Sequence, residues 1–103
     1  MSGHDLTVSN AVIAEMIRLA ALEVPGVQRV GRSGPPWRRL FAGQAVRAGV
    51  HGRRVHVELA VVARPGQALG PLGEQVRSAA GAAIERLLGL ELDSVTVVID
   101  GVG

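Results

Sequence analysis

A chain of 103 residues, 48% apolar and without a cysteine, has room for one hydrophobic core and no covalent staple to hold it. The missing cysteines exclude disulfides, thiolate nucleophiles and cysteine zinc sites, and they fit a reducing compartment. The net charge of +2 hides a division: no acid lies between Glu23 and Glu58, an interval holding seven arginines, whereas the rest of the chain carries four arginines against nine acids.

All basic residues are arginine, which forks onto carboxylates and phosphates and is less strongly hydrated than lysine. The opening stretch MSGHDLTVS lacks the basic-then-apolar order of a secretory signal, and no apolar run approaches the ~20 residues needed to cross a bilayer. The expectation is a cytoplasmic protein with a single domain over residues 1–103.

In chain order, Leu6 and Val8 alternate with polar residues and predict a short first strand. Ser9 or Asn10 can cap a helix over 11–23, in which Ile13, Met16, Ile17, Ala20 and Val24 form one apolar stripe. Pro25 and Gly26 end it. Two alternating stretches around HGRR predict a hairpin with Gly52 at its turn. Val46, Ala48, Val50, Val55, Val57, Leu59 and Val61 face inward; Arg47, His56, Glu58, Ala60 and Val62 face outward.

A second helix is expected from Pro71 or Leu72 to residue 88, facing inward with Leu72, Val76, Ala80, Ile84 and Leu87. Gly89 suits a left-handed end, with Leu90 folding back toward Ile84. Gly81, mid-helix, reads as a point of close helix–sheet packing, or else as a contact with another subunit's backbone. A last strand over 93–100 turns Val95, Val97 and Ile99 inward. The order β-α-β-β-α-β, with two amphipathic helices on one face of a mostly antiparallel sheet, is a two-layer α+β fold, of which the split βαβ arrangement is the nearest common topology.

The stretch PPWRRLF, residues 35–41, holds both aromatic side chains of the chain. As one helical turn begun by Pro35-Pro36, it would set Trp37, Leu40 and Phe41 on one face with Arg38 and Arg39 beside it. Burying a Leu or Phe is worth roughly 1.5–3 kcal/mol, so these groups are expected to be covered, by their own domain or by a partner. In the basic segment that includes Arg32, Arg53 and Arg54, such a turn can press apolar groups into a partner or an anionic membrane surface while guanidinium groups meet phosphates. Ala60, Val62 and Val98, apolar on the face away from the helices, predict a homo-oligomer contact.

Catalytic signals are absent from the sequence. His51, His56 and Glu58 would need a further ligand and supporting groups to hold a metal. No serine–histidine–acid order, paired buried carboxylates or phosphate-binding loop appears, so no enzyme activity, metal or cofactor is expected.

The words VSNAVIAEMIRLAALEVPGV (residues 8–27) and GLELDSVTVVIDGV (residues 89–102) resemble the alkaline-shock protein family of Gram-positive bacteria, the envelope stress response family. Ser9, Val12, Ile13, Ala20, Ala21, Glu23, Val24, Gly26 and Val27 stand where that pattern places them, whereas Ala11 replaces a usual acid and residues 32–44 have no counterpart. The resemblance implies a non-enzymatic cytoplasmic scaffold that self-associates at the inner face of the cell membrane through a membrane-anchored protein partner. It carries no catalytic residue. The alternative is a nucleic-acid-binding domain using the arginine-rich segment 29–54. Against that reading, the outward sheet face lacks base-stacking aromatics and carries Glu58 and Asp100.

Overall fold

The computed structural model describes residues 10–31 and 45–103. Helix α1 (Asn10–Leu22) leads into strand β1 (Val27–Val30). Strands β2 (Val46–His51) and β3 (Arg54–Ala63) follow. Helix α2 (Leu69–Ala83) runs on through a π-helical turn (Ile84–Leu88) to strand β4 (Glu91–Val102). The described order is α-β-β-β-α-β, an α+β fold with both helices packed on the sheet. The first strand expected at Leu6 and Val8 lies outside the described residues.

Strand β3 is the centre of the sheet. It pairs in parallel with β4 along one edge and antiparallel with both β2 and β1 along the other. The second edge is shared: β2 takes residues 54–59 of β3, and β1 takes 61–63. The changeover falls at Ala60, whose N–H donates to Ala45 O at 2.8 Å and whose carbonyl accepts from Gly31 N–H at 3.0 Å. A parallel neighbour cannot be reached by a tight turn, and α2 supplies the crossover that β4 requires. At the hairpin end the loop is only Gly52-Arg53, and Gly52 has φ +63°, the first-position glycine of a two-residue turn.

The core lies between the helices and one sheet face. Ile13, Ile17 and Ala21 from α1, and Leu72, Val76, Ala80 and Ile84 from α2 and its π turn, close over Val55, Val57, Leu59, Val61 and Ala63 of β3. Each large aliphatic side chain buried there contributes about 1.5–3 kcal/mol. The α1 stripe is rotated slightly from expectation, with Ala21 rather than Ala20 fully buried.

Four features depart from the sequence reading. Leu87, expected inward, is 56% exposed, and Leu88 packs on the core instead. The π turn widens the last helical turn, so the residue four beyond Ile84 falls on the inner face. Strand β1 was not anticipated. An irregularity between Val27 and Arg29 puts Val27 and Val30 both toward the core, three residues apart, which erases the alternation. Ala60 and Val62 are 1% and 2% exposed although neither belongs to the helix-side cluster.

The fourth departure is in topology: the βαβ unit is not split, because β3 and β4, joined by α2, are direct parallel neighbours with no strand between them. The expectations at Gly81, at Gly89 and along β4 hold. Gly81 faces Leu92 so closely that an added Cβ would stand 3.1 Å from Leu92 Cδ2, which is close helix–strand packing. Gly89 ends the helix in the left-handed conformation, its N–H donating to Glu85 O, and Leu90 packs on the core. Val95 is buried in β4, with Val97 and Ile99 half-buried against the same core.

Candidate interaction surface

Beyond the core, chemistry-bearing side chains concentrate on the sheet face that the helices leave uncovered. Register sets them in rows across the strands: Arg47, Glu58 and Thr96 in one, Gly49, His56 and Ser94 in the next, Ala60 and Val98 further along. His56 Nδ1 and Ser94 Oγ are hydrogen-bonded, and His56 Nε2 stands 3.5 Å from Glu58 Oε2. The structure therefore brings a serine, a histidine and an acid together where the sequence suggested none.

The signal was hidden because Ser94 and His56 are joined by the parallel register and by a β4 irregularity between Leu92 and Ser94. Nucleophilic catalysis would also need donors aimed at a developing oxyanion in a site shielded from water. His56 and Glu58 instead stand about half exposed on an open strand face. The trio is a polar ladder that joins β3 to β4.

The hairpin end is basic but engaged. Arg54 Nη1 donates to Asp93 Oδ1 at 3.4 Å, and Arg54 Nε lies 3.9 Å from Glu91 Oε2. Arg53 Nη2 donates to Gly89 O at 3.1 Å. Arg54, Glu85, Glu91, Leu92 and Asp93 line an open cleft of about 450 Å³ beside this end. At the opposite end of β3, Arg64 Nε donates to Pro25 O at 3.1 Å and Nη1 to Gln28 Oε1 at 3.0 Å, clamping the α1–β1 turn to the sheet.

On the outside of α1, Arg18 is hydrogen-bonded to Glu15, its Nε donating to Oε1 at 2.9 Å. These bonds hold the Glu15 carboxyl below its ordinary range.

Of the residues expected to bind a partner or membrane, Arg53 and Arg54 are thus tied to their own chain. Arg32, Trp37, Arg38, Arg39, Leu40 and Phe41 lie outside the described residues. Of the expected subunit contact, Val98 is 42% exposed, whereas Ala60 and Val62 are already buried within the chain. An α1–α2 groove of about 300 Å³, lined by Ala20, Val24, Pro25, Ala79 and Ala82 with Glu23 and Arg86 at its rim, had no sequence signal beyond small residues on facing stripes.

Among the described residues, no group of three or more histidine, aspartate or glutamate side chains is placed to hold a metal ion. None of the described helices is long and apolar enough to cross a membrane.

Fold and surface together define a small α+β domain whose exposed chemistry is one of paired charges and strand edges. The chain belongs to the alkaline-shock protein family, described as having a cell envelope-related function, whose pattern matches residues 2–103. The resemblance read from the two sequence words is the same assignment. No curated protein matches the chain.

Among solved structures, a copper form of the MamM CTD shares the fold with a TM-score of 0.64 at 20% identity, over 88% of this chain and 84% of that one. A manganese form gives 0.62 at 21% identity, over 88% and 96%. A zinc form gives 0.56 at 19% identity, over 88% and 84%. Identity at this level makes the likeness one of fold alone.

Proposed function

We propose that the protein is a non-enzymatic scaffold of the bacterial cell-envelope stress response. A membrane-anchored protein partner recruits it to the inner face of the cell membrane, where it self-associates. The observation that carries the reading is the match of the envelope-related family over residues 2–103.

The charge arrangement supports a binding module over a nucleic-acid reader. Within the described part of segment 29–54, Arg47 stands opposite Glu58, and Arg54 lies against Asp93 and Glu91. Acids thus face two of the arginines on which an electrostatic footprint for phosphates would depend. For self-association, Val98 is the expected contact residue with open surface.

Recruitment is assigned to Trp37, Leu40 and Phe41 with Arg38 and Arg39 beside them and Arg32 nearby. Gly31 and Ala45, the described residues on either side of 32–44, are both bonded to Ala60. A partner held by this segment would thus be joined to the central strand at both flanks.

The test is Trp37→Ala, read by membrane fractionation and by thermal melting. The expected result is loss of the protein from the membrane fraction with its melting temperature nearly unchanged. Arg38→Ala with Arg39→Ala should weaken recruitment most at low salt, where exposed charges are least screened. A destabilisation of roughly 3–5 kcal/mol from Trp37→Ala, the cost of removing a core aromatic, would overturn the assignment.

A further inference from the structure

We draw no further inference here: the strongest candidate, the small-residue groove between α1 and α2 lined by Ala20, Val24, Pro25, Ala79 and Ala82, carries nothing, because nothing in the structure shows what covers it.

Discussion

The two halves of β3 were built by different rules. From Arg54 to Glu58 exposure alternates residue by residue, as it does when a sheet faces a core on one side and water on the other. From Leu59 to Ala63 every residue is buried. The first half lies between β2 and β4 and carries the His56–Ser94 ladder on its open face. The second half starts where β2 gives way to β1, and there even the outward Ala60 and Val62 are inaccessible. Val62 has Arg29 as its cross-strand partner, and Gly103 lies near its Cγ1. The contrast teaches that alternation in a sequence reports direction, whereas burial depends on what lies over each face.

Substitutions can break or sharpen that contrast. The largest effect is expected from Val62→Asp, which places a carboxylate where water cannot reach it. A loss of about 3–5 kcal/mol is expected, as for an uncompensated buried charge, whereas Glu58→Ala on the same face should stay within about 0.5 kcal/mol. Urea denaturation of both variants measures the difference, and equal losses would erase the distinction between the halves.

Next come Val57→Ala and Val62→Ala, one in each half and on opposite faces. Removing the methyl groups should cost about 1.5–3 kcal/mol at either site. A neutral Val62→Ala would mean that the outer burial contributes no packing energy.

Gly26→Ala tests the clamp beneath the second half. Its carbonyl accepts from Arg64 N–H at 2.9 Å, and an added Cβ would stand 2.8 Å from Cδ1 of the buried Leu72. Overpacking of about 1–3 kcal/mol is expected, read as a lowered melting temperature.

The smallest effect lies far from β3, at Glu15. Because its folded value is depressed by Arg18, the pair's contribution is complete above the carboxyl's ordinary range and is lost as pH falls through the folded value. Any stability difference between wild type and Glu15→Gln at neutral pH should therefore vanish on acidification. Denaturation curves at both pH values check this, and a difference that grows in acid would contradict the pairing.

The sequence made legible whatever follows from period and punctuation. Ile13 and Ile17, Leu72, Val76 and Ala80, the Gly52 turn and the Gly89 stop all lie where local chemistry puts them. Strand β1 was not legible, because its irregularity spaces Val27 and Val30 like neither a regular strand nor a continuing stripe. Leu87 was misplaced because a π turn leaves no mark in hydrophobic period. On the candidate surface, the outward direction of Ala60 and Val62 could be read, but not their burial. The meeting of Ser94 with His56 depends on how β4 registers against β3 after a helical crossover, which no local pattern encodes. The intramolecular ties of Arg53 and Arg54 depend on the same register.

Ala60 has a consequence for how this domain can change over time. Its carbonyl accepts from Gly31 N–H and its N–H donates to Ala45 O, so the two residues that flank 32–44 are brought together by the sheet itself. Lengthening a closed loop is cheap, about 0.6 kcal/mol for each doubling. Between two residues fixed in this way, a connecting segment of different length is expected to cost little while β1, β2 and β3 keep their register. A lineage could acquire new binding partners by rewriting this span alone, and an engineer could graft a recognition peptide into it with the rest of the sheet untouched.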